Sequence, residues 1–378
     1  MSSGVSLGEI VRRIGPRFEQ SHRLTRPQRR ALRAISLCRI PALGGHLDQC
    51  SVCGFRHKVW HSCRNRHCPR CQAEARKRWL DERKSELLPV PYFHVVFTVP
   101  ESLNAFALAG PRQFYDILFA ATRETLLVIA ADPKHLGAKI GALTILHTWG
   151  QTLTLHPHVH CVIPAGGFTP DSRRWLCSRR KNFFLPVRVL ARYFRRRFLD
   201  LLRQTLREDT AFRSRVEHGE ELLAGACRHE WIVYAKQPFG GPEQVLCYLA
   251  AYTHRIAISE RRILDFDGER VRFSYKDYRA GNRDKVMDLE AKEFLRRFLL
   301  HVLPERFVRI RYFGFLANRV RSHNLELARQ QLGPVKTQSD ELAPEQDSTR
   351  PKCPACGVGS MILIERLDPQ NVPLLDSS

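Results

Sequence analysis

Apolar and polar positions change period several times along this chain. In TRPQRRALRAISLC the spacing puts Leu32, Ile35 and Cys38 on one helical face, and residues 1 to about 45 read as helical. Residues 46–75 carry little aliphatic core. From Tyr92 the pattern turns to strand in YFHVVFTV, rich in β-branched and aromatic residues, and then to helix as far as about Ala131. A second β segment surrounds LHPHVHCVIP and ends at Gly166-Gly167. A basic helix follows in VRVLARYFRRRFLDLLRQTL, then a strand in EWIVYAK. Pro242 suits the first turn of a helix over PEQVLCYLAAYTHR. RRILDF and RVRFSY flank Asp267-Gly268-Glu269, which predicts a hairpin. LEAKEFLRRFLLHVL reads as helix, FVRIRYFG as strand, and the span from Asn318 to Leu332 as a last helix. KTQSDELAPEQDSTR is poor in apolar residues and reads as a linker, with a short CPAC segment after it. The resulting division is a helical and cysteine-rich N-terminal domain over 1–88, a larger α+β domain over 89–333, and a polar linker with a Cys-x2-Cys tail over 334–378.

Charge narrows the partner. The 378 residues hold 61 Lys plus Arg against 38 Asp plus Glu, a net charge of +23. Such an excess favours a polyanion through release of its counterions. No run of about 18 apolar residues, the length a bilayer span needs, is present. The N-terminal MSSGVSLGEIVRRIG has no apolar signal core. The expectation is a cytoplasmic protein, in which the 12 cysteines act as metal ligands or free thiols rather than disulfides.

Three constellations carry chemistry. Cys50-x2-Cys53 and Cys68-x2-Cys71 are two hooks with 14 residues between them (54–67), each able to offer two thiolates from a tight turn. Four such ligands would close one tetrahedral, structural zinc site, with no open position for catalysis. Cys63, His57, His61 and His67 between the hooks leave a swapped ligand or a second ion open. Arg64, Arg66, Arg70, Arg76, Lys77 and Arg78 give the same region a surface suited to phosphate. Cys353-x2-Cys356 is half a zinc site that could borrow ligands, pair between chains or be a remnant. In LHPHVHCVIP, strand alternation puts His158 and His160 on one side, roughly 7 Å apart, so that both can face one cation. A third ligand is needed, for which His156, His94 and His254 are candidates; His156 shares the parity. Finally, Tyr248 and Tyr252 are spaced i, i+4 and share a helix face. A phenol with a pKa of about 10 is a weak nucleophile unless a cation stabilises the developing charge.

Taken together, these segments resemble a known family. HLDQCSVCGFRHKVWHSCRNRHCPRCQ resembles the zinc-binding domain of rolling-circle insertion-sequence transposases of the IS91 type. The order HVVFTVP, HPHVHCVIP, YLAAYTHR is similar to the three motifs of HUH single-strand nucleases, and the likeness covers roughly residues 20–330. It implies an α+β fold in which an antiparallel HUH-type sheet, flanked by helices, carries the histidine strand at its centre with the tyrosine helix alongside. It implies His158 and His160 as ligands of Mg²⁺ or Mn²⁺, and Tyr248 and Tyr252 as nucleophiles forming a 5′-phosphotyrosine. The partners implied are single-stranded DNA at transposon ends and target DNA. A replication initiator or relaxase, or a zinc-dependent DNA-binding protein without catalysis, are the alternatives on the same residues.

Overall fold

The computed structural model describes residues 5–178, 184–236, 256–278, 280–333 and 351–370. Tyr248, Tyr252 and His254 lie outside them. Along the chain come α1 (Leu7–Ser21), α2 (Arg26–Ser36), β1 (Gly45–Cys50), β2 (Arg56–Trp60) and α3 (Pro69–Lys84). β3 (Tyr92–Thr98), α4 (Asn104–Ala109), α5 (Pro111–Ala131), β4 (Gly141–Trp149), β5 (Leu155–Pro164), β6 (Gly166–Phe168) and β7 (Trp175–Cys177) follow. Next are α6 (Val187–Glu208), α7 (Thr210–Ser214), α8 (Gly219–Arg228), β8 (Val233–Lys236), β9 (Ile263–Phe266), β10 (Arg270–Asp277) and β11 (Arg283–Glu290). A helix over Ala291–Leu299, β12 (Ile310–Gly314), a helix over Arg321–Leu332 and β13 (Met361–Leu367) complete the order. Every strand pairing among the described residues is antiparallel, so the mixed α+β class with an antiparallel sheet holds.

The chain forms two compact units, and neither is one continuous stretch of sequence. The first comprises Met1–Ala75, Ile258–Val302 and Thr337–Ser378; the second comprises Arg76–Ala257 and Leu303–Lys336. Side chains and strand edges in the later segments complete the first unit, and local sequence pattern cannot report such distant pairings.

In the first unit, the helical N-terminal region breaks into two at Thr25. The Thr25 backbone N–H donates to Gln28 Oε1 (2.9 Å) in a capping box, and Pro27 suits the first turn of α2. Helix α1 starts where Ser6 Oγ accepts from the Glu9 N–H at 3.1 Å. It buries Leu7, Ile10, Val11, Ile14 and Phe18, one stripe at helical period. Gln28 Nε2 donates to the Leu299 carbonyl at 3.0 Å, tying α2 to the helix Ala291–Leu299. The hairpin expected at Asp267-Gly268-Glu269 joins β9 to β10, and Asp267 Oδ1 accepts from the N–H groups of Glu269 and Arg270, both at 2.8 Å. A second small sheet has the order β13-β1-β2, so its two ends come from opposite ends of the chain.

The second unit is built on a five-stranded sheet of order β12-β4-β5-β3-β8. The histidine strand β5 is its middle member. Alternation sends Val159, Cys161 and Ile163 of β5 to one face, where they meet the buried Phe114 and Leu118 of α5 and Phe194 and Phe198 of α6. Gly110 precedes α5 where a Cβ would lie 2.5 Å from the Phe212 ring, so the close approach requires glycine. The opposite face of the sheet carries Tyr92, Leu143, Ile145 and Val162, packed with Phe315, Leu316 and Leu325. Residues of the same parity, further along the strands, are histidines.

Candidate functional site

Three histidines meet on that second face. His158 and His160 project from β5 as alternation requires, and His147 of β4 stands directly opposite His158 in the register. One ligand nitrogen from each of the three lies within 4.8 Å of the others. Ring centroids are 4.4 Å apart for His147 and His160, 4.9 Å for His158 and His160, and 5.5 Å for His147 and His158. His147 and His160 are buried while His158 is half-buried, so the cluster sits in the sheet with one side towards solvent.

Neighbouring groups orient these rings. His160 Nδ1 is 2.8 Å from His94 Nε2, and the two rings stack at 5.1 Å. An Nδ1–H donating to His94 leaves His160 Nε2 as the atom to offer a cation. His158 Nδ1 donates to the His156 carbonyl at 2.6 Å and likewise presents Nε2. The His147 ring stacks on Trp149 at 4.6 Å.

The third histidine of this cluster is therefore His147, and neither His156 nor His94 belongs to it; His254 lies outside the described residues. From His147 to Trp149 β4 advances two residues while the facing β5 advances three, from Leu155 to His158. That bulge takes His156 out of parity and leaves it exposed, and its role in the cluster passes from the side chain to the carbonyl. His94 acts one layer out, as the partner of His160.

The cysteines are grouped differently from the single site expected of Cys50, Cys53, Cys68 and Cys71. Cys68 and Cys71 join Cys38 and Cys63, whereas Cys50 and Cys53 join Cys353 and Cys356, and within each group the sulfurs lie within 4.8 Å of one another. In the first group Cys38 follows α2, Cys63 comes from the loop after β2, Cys68 precedes α3, and Cys71 lies in its first turn, where the helix N-terminus favours thiolate. Sulfur–sulfur separations are 3.7 Å for Cys38–Cys71, 3.6 Å for Cys63–Cys71 and 3.5 Å for Cys68–Cys38. Four sulfurs about 2.3 Å from one zinc ion sit roughly 3.8 Å apart at the edges of a tetrahedron. The spacing fits zinc and is far too long for disulfides, whose S–S bond is about 2.05 Å. Hydrogen bonds from Cys38, then Cys63 and Cys68, hold the Cys71 thiol well below its ordinary value. In the other group the backbone N–H groups of Cys53 and Val52 bring Cys50 down to about 6. Sequence spacing missed Cys38, which periodicity had assigned to an apolar helix face; α2 ends at Ser36, two residues before it.

Basic side chains are exposed in both units. Arg64 is exposed next to Cys63 in sequence, and Arg76, Lys77 and Arg78 are exposed on α3, while burial holds the Arg66 guanidinium below its usual value. On α6, Arg188, Arg192 and Arg196 recur every fourth residue on the exposed face, opposite the phenylalanines. Among the described residues, no helix is long and apolar enough to cross a membrane.

Comparison with known proteins agrees with this architecture. A family model described as "Transposase zinc-binding domain" matches residues 10–99, and one described as "Putative transposase" matches residues 141–324. The first match contains all of Cys38, Cys63, Cys68 and Cys71; the second contains the three histidines and both tyrosines. The chain is 49% identical, over 97% of its length and 96% of the relative's, to "Putative transposase y4qJ" of Sinorhizobium fredii (strain NBRC 101917 / NGR234). It is 29% identical to the "Transposase for insertion sequence element IS801" of Pseudomonas savastanoi pv. phaseolicola, over 69% of this chain and 62% of that protein. No solved structure matches. A zinc-binding N-terminal region joined to an antiparallel-sheet domain thus defines a transposase. The chain belongs to the IS91-type insertion-sequence transposases that carry an N-terminal zinc-binding domain.

Proposed function

We propose that this transposase works by rolling-circle single-strand transfer: it nicks single-stranded DNA at the ends of its element and rejoins the strand to target DNA. The observation that carries this reading is the convergence of His158 and His160, on the middle strand of the sheet, with His147 on the neighbouring strand β4. They would hold the divalent cation, with His94 fixing the tautomer of His160. When bound, that cation polarises the scissile phosphate and stabilises phenolate charge. Among the described residues the cluster contains imidazoles and no carboxylate, a donor set that favours Mn²⁺ over the more oxygen-seeking Mg²⁺.

Tyr248 and Tyr252 are the nucleophiles in this proposal. The phenol loses its proton and its oxygen attacks phosphorus, the bond from phosphorus to the 3′-oxygen breaks, and that oxygen leaves as a 3′-hydroxyl. The 5′-phosphotyrosine keeps the phosphodiester energy, so a second 3′-hydroxyl can reverse the step on another strand without ATP. Two tyrosines allow two 5′ ends to be held during transfer. Affinity for the strand comes from phosphate contacts by exposed basic residues, such as the Arg188, Arg192 and Arg196 row, and falls steeply with salt.

The test is a labelled single-stranded oligonucleotide carrying an element end. Tyr→Phe removes the nucleophilic oxygen and keeps the ring, so Tyr248→Phe with Tyr252→Phe should fold, bind DNA and form no covalent adduct on a denaturing gel. Each single variant should lose full transposition even if it still nicks. An undiminished adduct in the double variant would take both tyrosines out of the mechanism. The oriented imidazole gives a further expectation. His94→Ala keeps the three ligands but frees the His160 ring, and should weaken metal affinity about 10–100-fold. Titration of nicking activity with Mn²⁺ reads this as a shifted midpoint with a recovered plateau.

A further inference from the structure

Cys353 and Cys356 lie beyond both family matches, which end at residues 99 and 324. Their surroundings repeat those of Cys50 and Cys53. The sequences Cys50-Ser51-Val52-Cys53-Gly54 and Cys353-Pro354-Ala355-Cys356-Gly357 are the same hook, each closed by a left-handed glycine, φ +71° at Gly54 and +70° at Gly357. In each hook the N–H two residues on points at the first sulfur: Val52 at Cys50 Sγ and Ala355 at Cys353 Sγ, both at 3.4 Å. Further N–H groups, from Cys53 to Cys50 Sγ and from Gly359 to Cys356 Sγ, are also at 3.4 Å. Such donors stabilise thiolates.

The hooks face each other. Cys50 and Cys356 are 3.7 Å apart, as are Cys53 and Cys353, the edge length of a zinc tetrathiolate. Their supports interlock as well. The Ser51 N–H donates to the Ser360 carbonyl at 3.0 Å, and the Ser360 N–H donates back to Ser51 Oγ at 3.1 Å. At Gly359 a Cβ would lie 2.4 Å from Cys50 Sγ, so the backbone passes where a side chain could not. Strand β13 then pairs with β1 from Met361↔Cys50 to Leu367↔Gly45. The local core consists of Cys50, Cys353, Met361 and the half-buried Cys356, too little apolar surface to order a segment by itself.

We propose that Cys50, Cys53, Cys353 and Cys356 hold a second structural zinc ion, which clasps the C-terminal segment to the N-terminal hook and completes the β13-β1-β2 sheet. This reading is independent of the nuclease mechanism. The purified full-length protein, dialysed against metal-free buffer, should contain two zinc ions per chain by elemental analysis. Zinc-edge X-ray absorption should show four sulfur neighbours at about 2.3 Å. Cys353→Ser with Cys356→Ser should lower the content to one zinc per chain. One zinc in the wild-type chain, two in the double variant, or disulfides in place of metal would overturn the proposal. Should the variant misfold, the wild-type chain loaded with ¹¹³Cd decides: two tetrathiolate resonances support the second site, and a single one refutes it.

Discussion

His160→Ala should lower the rate of single-strand cleavage on the order of 10³-fold, because a bound Lewis acid contributes several kcal/mol to the transition state and each 1.36 kcal/mol is a factor of ten. His147→Ala should match it, although His147 stands on a different strand and outside the His-x-His motif. His156→Ala should leave the rate nearly unchanged, since that residue contributes a backbone carbonyl to His158 and alanine keeps the carbonyl. The measurement is single-turnover cleavage of a labelled oligonucleotide, with binding followed separately by mobility shift. Binding should survive in all three variants, because the proposed phosphate contacts are made by exposed basic residues and not by these histidines. Chelation should reproduce the His160 loss, with Mn²⁺ restoring activity at lower concentration than Mg²⁺. Full-rate cleavage by the His147 variant would detach β4 from the site.

The second large effect is on folding. Cys68→Ser should unfold the zinc-bound part of the first unit. Cys68 and Cys38 are 1% and 2% exposed, so losing the metal leaves buried thiols with no ion to organise them. Structural zinc contributes about 10–16 kcal/mol of apparent binding free energy in small domains, as much as the whole stability of a typical domain at about 5–15 kcal/mol. Hydrogen exchange should show α1, α2 and the first turn of α3 losing protection together, while the five-stranded sheet, with its own phenylalanine-rich core, keeps it. Cys177→Ser, at an exposed position outside both cysteine groups, is the control and should change neither zinc content nor protection. A Cys68 variant that retained full zinc and full protection would show that this group is not a metal site.

Some of this was legible in the sequence, for reasons particular residues make plain. YFHVVFTV, LHPHVHCVIP and the Asp267 turn carry strong local signals, and each became the expected strand or hairpin. His158 and His160 could be put on one face from alternation alone. His147 could not, because GALTILHTW is a strand buried on both faces, and such strands lack the alternation by which half-buried strands are recognised. Its partnership with His158 is also a matter of register, which neither sequence states. The cysteine grouping failed for another reason. Cys-x2-Cys hooks are chemically interchangeable, so spacing says that a hook will find a partner without saying which. Cys50 and Cys53 found theirs 300 residues away, a contact that depends on β13 reaching β1. The tyrosine helix is a reading from spacing and resemblance, and Tyr248 and Tyr252 fall outside the described residues.

The antiparallel partnership of Cys50 with Met361 also has a timetable. A ribosome making about 5–20 residues per second needs roughly 15–60 s to travel from one to the other. Throughout that interval β1 has a bare edge on the side β13 will later occupy, and bare edges invite pairing with other chains. A nascent copy therefore cannot finish the β13-β1-β2 sheet of its first unit until β13 has been made. Messages cut short before that point would yield chains with the histidine cluster encoded but the amino-terminal sheet still open. The topology thus makes the synthesis of β13 a condition for closing a sheet that was begun with β1 and β2.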